Sequence, residues 1–237
     1  MIRAAKGGPL GWALDRYVGW KLRGAFRGLW IRGALPSGPE GRLVYLNHAN
    51  WWDGFVAHQV CLMAGWDGYC LMDEENLRRY RFLARLGAFS IRRGHAASTL
   101  GSLRYARRLL RGPRAAVCLF PEGEHRPFGV LPLRLERGVE WLSRAADVTC
   151  VPVGIRYAFF EHERPDVLVE VGEPHASGPL ARFEAGLTGV VTRLACATNL
   201  DGFTQCLAGA EGVAERWDAV RHGPARWVTR AKGDGSR

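Results

Sequence analysis

Short apolar runs alternate with helical patterns along most of this chain, and this alternation constrains its fold more than any other feature. Six runs have the length and composition of strands: Leu43–Leu46, Tyr69–Met72, Phe89–Ile91, Ala115–Phe120, Val148–Val153 and Val167–Val171. Helical spacing of apolar residues covers Gly54–Ala64, Glu74–Leu86, Ala96–Arg111, Arg137–Ala145 and Leu180–Ala195. The alternation predicts an α/β fold, a mostly parallel central sheet with helices on both faces.

The regions outside these elements divide the chain into three parts. Residues 36–39 are Pro- and Gly-rich, and we place the start of the main domain there. We therefore predict an amphipathic, membrane-associating helical segment over residues 1–35 and the main α/β domain over residues 36–200. Residues 201–237 are predicted as a C-terminal extension and basic tail, of which the last thirty or so residues form a helical extension that ends in a disordered tail.

Apolar residues keep helical spacing from Leu10 to Trp30, so this segment is predicted to be one helix. Two interpretations remain open for its apolar side, which either packs on the core of the protein or lies on anionic lipid. Trp12, Trp20 and Trp30 lie nearer the basic side, where indole rings often meet lipid headgroups. The tryptophans and the basic charge favour the membrane interpretation.

Positive charge is concentrated in three blocks. The chain has 33 Lys and Arg against 23 Asp and Glu, a net charge of +10. Residues 1–33, 78–114 and 216–237 carry +6, +11 and +4, which suggests an anionic partner such as nucleic acid, a membrane surface or a phosphorylated ligand. Codon bias explains the preference for Arg over Lys equally well. Nucleic acid is disfavoured, because no recognisable binding module accompanies the arginines.

The loop predicted after the first strand reads NHANWWD and contains His48 and Asp53. If a helix begins there, the carboxylate folds back onto the imidazole, fixes its tautomer and leaves the other nitrogen free to accept a proton from a hydroxyl. The alternative is a helix-capping aspartate beside a structural histidine. A metal site with His48, Asp53 and His58 is excluded by the five-residue steps, and the six cysteines lack zinc-ligand spacing. Unpaired cysteines of this kind are typical of a reducing cytosol.

Four blocks occur in order along the chain: NHANWWD, then GAFSIRR from Gly87, FPEGEHR from Phe120 and VPVGI from Val151. In this order and spacing they resemble the PlsC-type glycerolipid (lysophospholipid) acyltransferase family, over about residues 40–175. The resemblance implies that His48 is the general base and Asp53 its partner. It further implies that Arg93, Glu122 and Gly123 shape the acceptor site, and that Val151 and Pro152 line the acyl pocket.

The implied reaction moves a fatty acyl chain from acyl-CoA or acyl-carrier protein to the hydroxyl of a lysophospholipid such as lysophosphatidic acid. No metal or other cofactor is implied. The expected partners are the lipid acceptor, the thioester donor and an anionic membrane surface, with no nucleic acid. The expected location is peripheral, on the cytoplasmic face of the membrane.

One block departs from the family pattern FPEGTRS. Glu124 and His125 stand where the family has threonine and arginine, and Arg126 follows one position later. Arg126 is therefore a candidate for the missing phosphate contact from a shifted register. The alternative is an acceptor without a phosphomonoester, such as a glycolipid or another lipid alcohol. A non-catalytic lipid-binding protein is a further alternative, although His48, Asp53 and Glu122 are all present.

Overall fold

Eight strands form one sheet in the computed structural model, which describes residues 1–213 together with Trp217 and Arg221. The strands are β1 (Gly28–Arg32), β2 (Arg42–Leu46), β3 (Asp67–Asp73), β4 (Ala88–Ile91), β5 (Ala115–Leu119), β6 (Thr149–Ala158), β7 (Asp166–Val171) and β8 (Thr204–Ala208). The α-helices are α1 (Gly8–Ala25), α2 (Asp53–Met63), α3 (Glu74–Arg79), α4 (Ala96–Leu109), α5 (Gly138–Ala146) and α6 (Leu180–Ala195). A 3-10 helix over Arg81–Leu86 follows α3.

The strand order is β4-β3-β5-β2-β6-β7-β1-β8. The first five of these strands are mutually parallel, whereas β7 is antiparallel to β6. β1 is parallel to β7 and antiparallel to β8. The carboxyl ends of β2, β3, β4, β5 and β6 therefore meet at one edge of the sheet, where α/β proteins usually bind their ligands.

Both faces of the sheet are covered, as the alternation in the sequence predicts. Side chains of β2 alternate between two cores: Val44 and Leu46 pack on the side that includes α1 and α2, and Leu43 and Tyr45 pack on the side of α4, α5 and α6. All four are buried. The α/β prediction with a mostly parallel sheet and an N-terminal helix is confirmed.

The prediction of one helix from Leu10 to Trp30 is wrong at its end. Helix α1 stops at Ala25 and Phe26 is extended, so that Leu29 and Trp30 belong to β1. Leu29 and Ile31 are buried at strand spacing, but five residues are too few for their period to be distinguished from that of a helix. The predicted Glu74–Leu86 helix is likewise two pieces, α3 and the 3-10 helix.

Parts of both flanking segments belong to the sheet. β1 lies within residues 1–35 and β8 within residues 201–237, and the two strands pair with each other. The division of the chain at residues 35 and 200 stays a prediction. The predicted basic tail lies outside the described residues. Among the residues that are described, no helix is long and apolar enough to cross a membrane.

Candidate active site

The fully buried carboxylate of Asp53, the first residue of α2, organises the loop that follows β2. His48 Nδ1 lies 2.9 Å from Asp53 Oδ2, and the backbone N–H groups of Ala49 and Asn50 donate to the same oxygen at 2.8 Å. The contact between His48 and Asp53 that the sequence predicts is therefore present. A carboxylate in this position favours protonation of Nδ1 and leaves Nε2 as a proton acceptor.

The loop is attached to the neighbouring strand β6 by two side chains that the sequence analysis did not identify. The side-chain amide of Asn47 donates to Ile155 O at 3.0 Å and accepts from Ile155 N at 2.7 Å, replacing the backbone pairing that ends with β2. The hydroxyl of Tyr157 donates to Asp53 Oδ1 at 2.8 Å. Asn47 directly precedes His48 in the first block, and this position is the only sequence signal for its role.

The segment after β5 covers the other side of His48. Glu122 is buried, and its Oε1 lies 3.3 Å from the backbone N–H of His48. The backbone N–H of Arg126 donates to His48 O at 2.8 Å, and its Nη1 lies 3.9 Å from Glu122 Oε2. Gly123 has a φ of +76°, which favours glycine. Burial raises the pKa of Glu122 above its ordinary value.

Two rings from the same segment lie against His48. Phe120 stacks on it with a centroid distance of 4.3 Å, and the ring of His125 lies 3.9 Å away. Burial, and after it the neighbouring His48, lower the pKa of His125. His125 is therefore uncharged at neutral pH and cannot substitute for an arginine as a cation.

A cavity of about 850 Å³ opens beside His48 and extends between α2, β3 and the 3-10 helix. The part of the cavity just beyond the carboxyl ends of β2, β4 and β5, here called its mouth, is lined by His48, Glu122, Gly123, Arg126 and Arg93, so the structure brings these predicted residues together. The rest of its lining is mostly apolar and includes Phe55, Leu71, Leu83, Leu86 and three cysteines, Cys61, Cys70 and Cys118. Such a cavity is large enough for a long apolar ligand.

Two predicted residues lie elsewhere. Val151 and Pro152 are on β6, where Val151 is fully buried in the core between the sheet and α2, and neither residue is among those that line the cavity. His58, considered in the sequence as a metal ligand, lines the cavity and hydrogen-bonds to Asp15 of α1 at 2.8 Å. Burial lowers the pKa of His58 although Asp15 opposes this effect.

Comparison with known proteins agrees with this arrangement. The family model described as Acyltransferase matches residues 34–156, just over half of the chain. Among solved structures, the chain is similar to the crystal structure of the 1-acyl-sn-glycerophosphate (LPA) acyltransferase PlsC from Thermotoga maritima, with 17% identity, a TM-score of 0.56 and 79% of each chain covered. This likeness shows the fold. Curated protein sequences include no match. The family match spans the loop after β2 and the segment after β5, and the chain therefore belongs to the Acyltransferase family of enzymes.

Proposed function

We propose that this enzyme transfers a fatty acyl chain from an acyl thioester, either acyl-CoA or acyl-carrier protein, to the hydroxyl of a lysophospholipid such as lysophosphatidic acid. The observation that carries the proposal is the contact of His48 with buried Asp53 at the mouth of a long apolar cavity. A general base beside an acyl-sized cavity meets the two requirements of acyl transfer to an alcohol. The solved structure to which the fold is similar is that of an LPA acyltransferase.

In the proposed reaction, His48 Nε2 takes the proton of the acceptor hydroxyl as its oxygen attacks the thioester carbonyl carbon. Asp53 stabilises the imidazolium that forms. The tetrahedral intermediate then collapses, its C–S bond breaks, and the departing thiolate receives the proton from His48. The products are the acylated lipid and the free thiol of the donor.

The apolar cavity is the proposed site of the acyl chain. It extends from Asp73 at the carboxyl end of β3 to Gly68 near the start of that strand, both of which line it. The five residue steps between Gly68 and Asp73 span roughly 16 Å, a length suited to a long fatty acyl chain. Because Val151 and Pro152 do not line this cavity, we assign the acyl site to α2, β3 and the 3-10 helix instead.

The acceptor site is proposed at the cavity mouth. Arg93 and Arg126 line it there, and their guanidinium groups offer contacts for an acceptor phosphate. Arg93 lies 3.9 Å from Asp73 and Arg126 lies 3.9 Å from Glu122, distances too long for strong hydrogen bonds. Both cations therefore remain available to an anionic headgroup, while Glu122 and Gly123 shape the loop that carries Arg126.

A second candidate acceptor is a lipid alcohol without a phosphomonoester. His125, in contact with His48, is uncharged at neutral pH, and Glu124 lines the same cavity as a carboxylate. A dianionic phosphate placed beside Glu124 would be repelled, whereas a sugar hydroxyl would accept or donate hydrogen bonds there.

We further propose that the enzyme acts as a peripheral protein on the cytoplasmic face of an anionic membrane, through the segment of residues 1–35. Trp12 and Trp20 of α1 have exposed fractions of 65% and 66%, and Tyr17 is also exposed. The guanidinium of Arg16 lies 5.2 Å from the ring of Trp12. Aromatic rings beside basic side chains are typical of helices that lie in the headgroup region.

The decisive test is thiol release from acyl-CoA and acyl-carrier protein against a panel of lysophospholipids and glycolipids. Replacement of His48 by alanine should lower turnover by about 10²- to 10⁴-fold without changing the circular dichroism spectrum. His95→Ala is the matched control, because His95 is exposed and does not line the cavity. Acceptor-dependent thiol release at the wild-type rate by His48→Ala would refute the proposed mechanism.

A further inference from the structure

We propose that Tyr157 is a positioning residue for acyl transfer, acting through Asp53 to set the basicity of His48. This inference rests on the proposed function, since it assigns to Tyr157 a role in the His48–Asp53 pair. Tyr157 lies in β6, outside all four sequence blocks that carry the family resemblance.

The two oxygens of Asp53 have different surroundings. Oδ2 accepts three hydrogen bonds, from His48 Nδ1 and from the backbone N–H groups of Ala49 and Asn50. Among the described residues, the hydroxyl of Tyr157 is the hydrogen-bond donor to Oδ1, at 2.8 Å. Because the side chain of Asp53 is fully buried, water does not replace this donor.

Tyr157 is a proton donor over the whole working pH range. Burial, and then the negative charge of Asp53, raise the pKa of its phenol far above the ordinary value. Its ring lies 5.5 Å from that of Phe26, which itself lies 5.2 Å from the ring of Trp52 in an edge-to-face contact. Phe26 is buried directly after α1, so the end of the N-terminal helix holds Tyr157 against Asp53.

Among the described residues, the other charged or titratable groups beside the pair lie in two segments. The loop after β5 contributes Glu122, Glu124, His125 and Arg126, and the loop after β4 contributes Arg93. None of these groups hydrogen-bonds to the Asp53 carboxylate in the described part of the chain. A change at Tyr157 therefore reaches His48 through Asp53.

The direction of the effect follows from the hydrogen bond. A donor to Oδ1 stabilises the carboxylate and lowers its ability to attract the His48 proton. Removal of the donor makes Asp53 a stronger acceptor, which favours the protonated form of the His48 ring. Since Nε2 must be unprotonated to act as a base, the acidic limb of activity moves to higher pH.

The test is Tyr157→Phe, assayed for kcat/KM against pH with acyl-CoA and the best acceptor of the panel. We expect an acidic limb displaced upward by roughly 0.5 to 1 pH unit, which lowers kcat/KM by about three- to tenfold on that limb and by less at higher pH. KM for the donor should stay within twofold. In an Asp53→Asn background the same substitution should change residual activity less than twofold, because the two residues act as one unit.

Tyr45→Phe is the matched control, since it removes a buried hydroxyl that is bonded to His175 on the other face of the sheet. Its pH profile should equal that of the wild type. An unshifted acidic limb in Tyr157→Phe, or an equal loss in the Asp53→Asn background, would overturn the proposal.

Two further measurements test the coupling of Tyr157 to His48 independently of Tyr157→Phe. If Tyr157→Phe does not fold at the assay temperature, site-specific fluorotyrosine at position 157 supplies a stronger donor, and the acidic limb should move to lower pH instead. Titration of the His48 ring nitrogens by NMR reports the same shift without acyl transfer. A displaced His48 titration in an enzyme whose His48→Ala variant stays active would refute the general-base role but not the coupling.

Discussion

His125 is the residue at which this site differs most from the family it resembles. The family pattern has arginine at this position, whereas here an imidazole lies 3.9 Å from the ring of His48. Because burial and the adjacent ring lower the pKa of His125, the position carries no charge at neutral pH. Acceptor choice then depends on whether Arg126, one residue later, makes the phosphate contact.

Restoring the family residues separates the two acceptor candidates. We expect Glu124→Thr with His125→Arg to raise kcat/KM for lysophosphatidic acid by at least about fivefold, since a carboxylate is removed and a cation gained. The measurement is thiol release with lysophosphatidic acid and, as control, with an uncharged lipid alcohol. An unchanged preference between the two acceptors would show that Arg126 already supplies the phosphate contact.

The sequence blocks predicted the site residues that lie within them. His48, Asp53, Glu122 and Arg126 lie together as the blocks predict. Tyr157 was not predicted, because its contact joins residues 104 positions apart and depends on the register of β6 beside β2. Val151 and Pro152 were placed in the acyl pocket by resemblance alone, and the direction in which a strand residue points is not visible in a motif.

Helix α1 combines the two interpretations that its sequence left open. Val18 and Leu22 are buried in the core beside α2, and the carboxylate of Asp15 accepts a hydrogen bond from His58 of that helix. Trp12 and Trp20 remain exposed on the other side. One face therefore packs on the protein while the other is free for a lipid surface, so the alternatives are not exclusive.

Substitution of both exposed indoles tests the lipid surface. We expect Trp12→Ser with Trp20→Ser to weaken binding to anionic vesicles roughly thirtyfold, because each indole contributes about 1 kcal/mol when it is partly inserted into the bilayer. Sedimentation with vesicles of phosphatidylglycerol and phosphatidylcholine provides the measurement. Trp141→Ser is the matched control, because Trp141 is an exposed indole on α5. Equal binding by all three proteins would refute a membrane role for α1.

The whole sheet includes strands from both ends of the described chain. The alternating pattern predicted six of its eight strands, β2 to β7, because each has a run of apolar residues beside a helical pattern. β1 and β8 do not show this pattern. The apolar spacing of α1 continues into β1, so the strand is not distinguished from the helix before it, and most residues of β8 are exposed. Their pairing depends on contacts across the full chain, which a local pattern does not contain.

A core substitution in β1 tests whether the N-terminal segment unfolds with the domain. Leu29 is buried in β1, so Leu29→Ala should lower the free energy of unfolding by about 2–5 kcal/mol. Urea unfolding followed by circular dichroism measures this loss. Leu10→Ala, at an exposed position of α1, should change stability by less than about 0.5 kcal/mol. If β1 were an independent appendage, the unfolding midpoint of the domain would be the same in both variants.

The position of β1 between β7 and β8 also determines how late in synthesis the sheet can form completely. β1 leaves the ribosome early, but its first partner, β7, begins at Asp166 and its second ends at Ala208. Until those strands emerge, Leu29 and Ile31 have no sheet to join. Pairings between such distant segments close late because their loop-closure entropy is lost before the contacts form. The tryptophan-bearing helix is therefore exposed to the cell well before the catalytic sheet is complete.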